Sequence, residues 1–166
     1  MAHYKNTYVT GIFALLMTGV EAQKIPPAGE TVSLAVTADT YIRNGIHAEK
    51  NFSDAPELCA VNCDDDLSQI LLRFKVPKSK KTPDSAYVWI RTTSDHTDPV
   101  ENAAYLIPND RWDAKTVTWK SRPKTGEELD AWVTENDHSI KIDVTRQVIE
   151  ASKGDGLLSI AIRAPH

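Results

Sequence analysis

Asp39, Tyr41, Arg43 and Asn44 crowd into "TADTYIRNGIHAEKNF", residues 37–52. A carboxylate, a phenol, a guanidinium and an amide so close together could form a catalytic cluster, hold a metal or a sugar, or only build a polar turn. "CDDDLS" sets Asp64, Asp65 and Asp66 side by side. Calcium takes loop carboxylates, but adjacent acids point apart and the EF-hand spacing is absent, so a solvated loop is the first reading. "NDRWDAKTVTW" places Asp110, Arg111, Trp112 and Asp113 in a loop ahead of a strand. An exposed Trp there could stack on a sugar ring while Arg or Lys pairs with uronate carboxylates. The alternative is that Trp112 or Trp119 plugs the core.

Reactive motifs are missing. The chain has no G-x-S-x-G, no glycine-rich phosphate loop and no H-E-x-x-H. Of the five histidines, His47, His96 and His138 lie in polar segments, where solvated surface is the plain reading. The formal net charge is -4, so no basic footprint points to nucleic acid.

The elements that must position these residues read as strands. "TVSLAVTADTYI" (31–42) alternates with Val32, Leu34 and Val36 on one face. "SQILLRFKV" (68–76) sets Ile70, Leu72 and Phe74 against Leu71, Arg73 and Lys75. "ELCAV", "SAYVWIRTT", "AAYLIP", "TVTWK", "SIKIDVT" and "LLSIAIRA" add further runs, broken by Pro, Gly, Asn or Asp. Short strands at this spacing predict an all-β sandwich of jelly-roll type. "TGEELDAWV" (125–133) reads as a turn or short helix. "DVTRQVIEASKGDG" reads as one short helix near residues 144–153, capped by Asp143 or Thr145 and ended by Gly154. "LLSIAIRA" near the chain end predicts a last strand with a bare edge.

Length suits one domain. Residues 1–22 have one Lys, an apolar run and small Val20 and Ala22, which is the pattern of a signal peptide and too short to span a bilayer. Secretion to a periplasmic, extracellular or cell-surface location is expected, with no membrane partner. Residues 23–30 form a Pro/Gly linker and 31–166 the domain. Cys59 and Cys63 sit four residues apart. An extended chain separates them by about 13 Å, beyond the roughly 7 Å a disulfide allows, so free thiols are expected unless a turn intervenes.

"ADTYIRNGIHAEKNF", "LLRFKV", "WDAKTVTW" with "RP" behind it, and "IDVTRQVIEASKGDGLLSIAIRA" occur in one order. Together they resemble the secreted DNRLRE domain, carbohydrate-binding module family 96, over about residues 36–164. The resemblance implies a jelly-roll sandwich that binds polysaccharide, alginate or related uronate polymers in particular, as a module beside polysaccharide lyases. It aligns Asp39, Tyr41, Arg43, Gly45 and Asn51 with the first motif, Arg73 with the second, Trp112, Thr118, Trp119 and Pro123 with the third, and Asp143, Val144 and Thr145 with the fourth. It implies ligand contact by Arg43, Arg73, Lys75, Tyr41 and Trp112. Asp39, Asn51 and Asp143 become turn staples or the donors of a structural calcium. Phe52-Ser53 departs from the family's Tyr-Gly, and Lys75 replaces its Asp, which weakens a metal role there. The family pattern continues into a further loop and strand, so the chain reads as a module truncated at its C-terminus.

Three functions compete. The first is a non-catalytic module for an acidic polysaccharide. The second is the N-terminal part of a lyase, with Tyr41, Tyr105, His47 and Arg73 as candidate groups that no spacing marks as a set. The third is a structural or adhesive sandwich.

Overall fold

The computed structural model describes residues 6–9, 14–18, 31–63, 66–79, 82–92, 100–134 and 138–165. Its strands are β1 (Asn6–Val9), β2 (Ala14–Thr18), β3 (Thr31–Arg43), β4 (Leu58–Cys63), β5 (Asp66–Lys75), β6 (Ala86–Thr92), β7 (Val100–Ile107), β8 (Glu128–Thr134), β9 (His138–Asp143) and β10 (Leu157–Arg163), with helix α1 (Thr145–Lys153) between the last two. One antiparallel sheet runs β8-β7-β10-β5-β3, and β6 pairs with β9 in a second. This arrangement is consistent with a β-sandwich. β2 pairs with the first half of β3 and with β6, and β4 pairs with β1 and β5.

The alternation in β5 does what its pattern predicts. Ile70, Leu72 and Phe74 enter a core shared with Val88 and Ile90 of β6, Ile140 and Ile142 of β9, and Ile160 and Ile162 of β10. Leu71 points the other way and is also fully buried. It joins a second cluster with Ile42, Tyr105, Ile107, Trp112, Val117 and Ala161. The five-stranded sheet is therefore covered on both faces, by the second sheet and by residues 108–125.

A register shift between Val36 and Ala38 reverses the faces of β3. Leu34 and Val36 pack on the inter-sheet core before it, and Tyr41 does so after it. Asp39, Tyr41 and Arg43 therefore share that face, while Ala38 and Ile42 belong to the outer cluster.

Four expectations change. "TVTWK" is a series of turns. The Asp113 carboxylate accepts from Lys115 N at 2.9 Å, its carbonyl accepts from Val117 N at 2.8 Å, and Ser121 Oγ accepts from Thr118 N at 3.0 Å. These local bonds take the groups a ladder would need. The end of "TGEELDAWV" is strand β8, because pairing with β7 and the packing of Leu129 and Trp132 override its helix-forming residues. The strand β10 has no bare edge, since β5 and β7 flank it. The N-cap position of α1 is Val144, without a side-chain cap bond, rather than Asp143 or Thr145; Asp143 Oδ1 accepts from Thr145 N at 2.9 Å at the helix start, and Thr145 Oγ1 accepts from Ala86 N at 2.9 Å.

Gly154 N donates to Glu150 and Ala151 carbonyls and ends the helix as its sequence suggests. The left-handed residue is Gly156 (φ 82°), where a Cβ would stand 3.0 Å from the Val76 carbonyl. The Gly156 carbonyl accepts from Val76 N at 2.8 Å and delivers the chain into β10. Both cysteines fall on the extended strand β4, and Cys59 is half-buried. Asp64, Asp65, His96 and the linker lie outside the described residues.

Phe74 is fully buried between the sheets. Phe74→Ala is expected to lower unfolding free energy by about 3–5 kcal/mol in a denaturant titration. A loss under about 1 kcal/mol would contradict the inter-sheet core.

Candidate functional site

Residues 108–125 lie across the outer face and are fastened there by three devices. The Trp112 side chain is 7 % exposed, and its indole N–H donates to Ser159 Oγ at 3.1 Å. The Arg73 guanidinium lies 4.3 Å from the Trp112 ring and donates to the Trp112 carbonyl. The Asn51 amide donates to the carbonyls of Ala114 at 2.8 Å and Val117 at 2.7 Å, while its oxygen accepts from Ser53 N at 3.1 Å. The loop after β3 thus holds the loop after β7. Lys120 N adds a bond to the Ala48 carbonyl, and Lys115 and Lys120 pair with Asp54 and Glu49.

The sequence-derived ligand residues do not assemble into one site: Tyr41 and Arg43 share one face of β3, and Arg73 and Trp112 meet on the other side of the sheet. Across the ladder Arg43 faces Ser68 and Ala38 faces Arg73, so Arg43 and Arg73 lie on opposite faces, about 17 Å apart along β5. Arg43 donates through Nε to Asp66 Oδ1 at 2.6 Å and through a second nitrogen to the other oxygen. That forked pair pulls the Asp66 carboxyl below its usual range. Tyr41 stacks on Phe52 with ring centroids 4.4 Å apart. Trp112 is a core residue of the outer cluster, so it offers no sugar platform. Lys75 is exposed, near the opposite end of β5 from residues 67–69.

The three acidic or amide staples are also separate. Asp39 is exposed on β3, opposite Leu72. Asn51 is committed to backbone groups of the outer loop. Asp143 ends β9, where hydrogen bonds from Thr145 hold its carboxyl below the usual range. Among the described residues no three His, Cys, Asp or Glu form a metal-holding group. The lyase candidates divide in the same way: Tyr41 lies on the inter-sheet face and Arg73 on the outer one, and burial raises the Tyr105 phenol.

What the fold does build is a cleft of about 640 Å³ at the end of the outer face. Residues 67–69 of β5 and Arg163 of β10 meet the last part of the covering loop there. Among the described residues the lining carries Lys120, Arg122, Lys124 and Arg163 and no carboxylate, although the chain as a whole is acidic. Arg122 lies 4.1 Å from the Trp119 ring and donates to the Trp119 carbonyl at 2.6 Å. Arg163 lies 4.2 Å from the Tyr105 ring. Stacking fixes these two guanidinium planes while leaving N–H groups for a partner. Sequence reasoning noted Trp119 but passed over the signal beside it: "KSRPK" sets three cations within five residues of a turn.

A family model for carbohydrate-binding module family 96 matches residues 30–166. The chain belongs to this family. No curated protein matches it. A non-catalytic binding family fits a non-enzyme; of the lyase candidates, Tyr41 and His47 both lie against the Phe52 ring, at 4.4 and 6.1 Å between centroids, and Arg73 is on the other face. Another aromatic surface, half-buried Tyr87 and exposed Trp89 on β6, carries a single cation on its rings among the described residues, the Lys141 ammonium, 3.6 Å from the Tyr87 ring and 5.6 Å from that of Trp89.

The depressed Asp66 carboxyl has a pH consequence. A carboxyl whose folded pKa is lowered adds stability above its unfolded value and loses it as pH falls through the folded one. The melting temperature is expected to hold near neutrality and fall below about pH 4. In Asp66→Asn the midpoint should be lower at pH 7 and the acid-side slope shallower. An unchanged slope would contradict the role of the Arg43–Asp66 pair.

Proposed function

We propose that the protein is a secreted, non-catalytic module that binds an acidic, uronate-containing polysaccharide in the cleft between β5, β10 and residues 119–125. The observation that carries this reading is the lining: four cations, of which Arg122 and Arg163 stack on aromatic rings and Lys120 pairs with Glu49, with no carboxylate among the described lining residues. A polymer with one carboxylate per sugar matches that charge, and Trp119 supplies the apolar surface a ring needs. Alginate-type polymers are the first class to try. The signal-peptide pattern of residues 1–22 supports secretion, and none of the described residues among them lines the cleft. The same family reading carries a jelly-roll wiring of the sandwich and a neighbouring lyase as the natural context.

Native affinity electrophoresis against alginate, pectin, chondroitin, hyaluronan and a neutral glucan tests it. One acidic polymer is expected to retard the protein at low salt and to release it at high salt. Arg122→Ala/Lys124→Ala should weaken that retention at least about tenfold with the fold intact. Retention that is equal on the neutral glucan, or unchanged in the double variant, would sink the proposal.

A further inference from the structure

We infer that Gln69, on the floor of the cleft, is the residue that determines which acidic sugar fits, by donating its side-chain amide to an oxygen of the bound ring. This rests on the reading of the cleft as a polyuronate site.

Gln69 is 3 % exposed, and its Nε2 is closed to solvent and has no acceptor among the described residues, so it meets a ligand by a turn of its side-chain torsions into the cleft that the residue lines. It lines the cleft together with Ser68. The Ser68 hydroxyl is already spent on the Cys59 carbonyl at 2.7 Å. On its own face Gln69 stands between Ile42, its partner across the ladder, and Leu71, both fully buried. Neither can accept a hydrogen bond. A buried amide left unpaired among apolar neighbours destabilises a fold, and such groups are uncommon in native proteins. A leucine here would extend the outer cluster and remove that penalty. The polar residue is therefore explained by something that enters the cleft carrying an acceptor oxygen.

The position divides labour between rim and floor. Lys120, Arg122 and Lys124 are exposed, and their attraction to carboxylates is long-range and screened by salt. The Gln69 amide is neutral, short-range and desolvated, so its contribution depends on where the sugar places an acceptor. A site built to hydrogen-bond a substrate oxygen rejects an analogue that lacks one there.

The test pairs binding with stability. Gln69→Leu is expected to melt a few degrees above the wild type, because an unpaired amide is gone. The same variant should bind the retarding polymer at least about tenfold more weakly, with the salt dependence of what remains unchanged. In ¹⁵N spectra of the wild-type chain, the Gln69 side-chain amide pair should shift on adding an oligosaccharide of that polymer. Gln69→Leu binding as tightly as wild type would overturn the inference, and if Arg122→Ala/Lys124→Ala still weakens binding, the cleft reading survives it. A Gln69→Leu protein that melts lower would overturn it in favour of a packing role. Failure of the wild type to bind any acidic polymer would remove the cleft reading and this inference together.

Discussion

Leu71 and Leu72 are neighbours in β5, point to opposite faces, and are both fully buried. A strand with this property cannot lie against solvent on either side. One face is met by β6 and β9, as in any two-layered sandwich. Among the described residues no third sheet meets the other. Residues 108–125, a mixture of turns and irregular chain, take that place through Trp112 and Val117. Irregular chain is a poor cover for an apolar sheet, because its backbone groups need partners. Asn51 answers that need at two carbonyls, Arg73 at a third, and the Asp113 turn at two N–H groups.

The cleft follows from the same requirement. The cover is tight over Leu71 and Trp112 and stands away from the sheet beyond Trp119, where residues 119–125 and Arg163 enclose an open volume. Each stacked guanidinium there is held by an aromatic ring belonging to the cover or the sheet. The charges of the site are thus preorganised by the packing that protects the outer face. This economy separates structural cations from binding ones. Arg43 is taken up by Asp66, and Arg73 stacks on Trp112 and donates to its carbonyl. Lys124 has no carboxylate partner among the described residues.

Much of the fold is legible in the sequence, since period-two alternation in β3 and β5 and the capped run of α1 are local signals. The errors fall where tertiary partners decide. Residues 128–133 look helical by composition and become a strand because β7 offers a ladder. Residues 116–120 look like a strand and become turns because Asp113 and Ser121 satisfy their backbone. The site was less legible. Spacing could not show that a bulge at Val36–Ala38 puts Arg43 and Arg73 on different faces. A resemblance carried by motif residues favours those that hold a family's fold, and Asp39, Asn51, Trp112 and Asp143 were read from such motifs. The binding candidates lie between them, in a basic turn and at one amide whose isolation only the packed structure reveals.

The central claim is that the polymer binds on the outer face, at the end where the cover lifts. A titration of the ¹⁵N-labelled chain with an oligouronate, followed by backbone, indole and side-chain amide shifts, tests this most directly. The account predicts that the shifts gather at Trp119, Lys120, Arg122, Lys124, Arg163 and residues 67–69, with the Trp112 indole little changed. Shifts centred on Tyr87, Trp89 and Lys141, or on Tyr41 and Arg43, would contradict it.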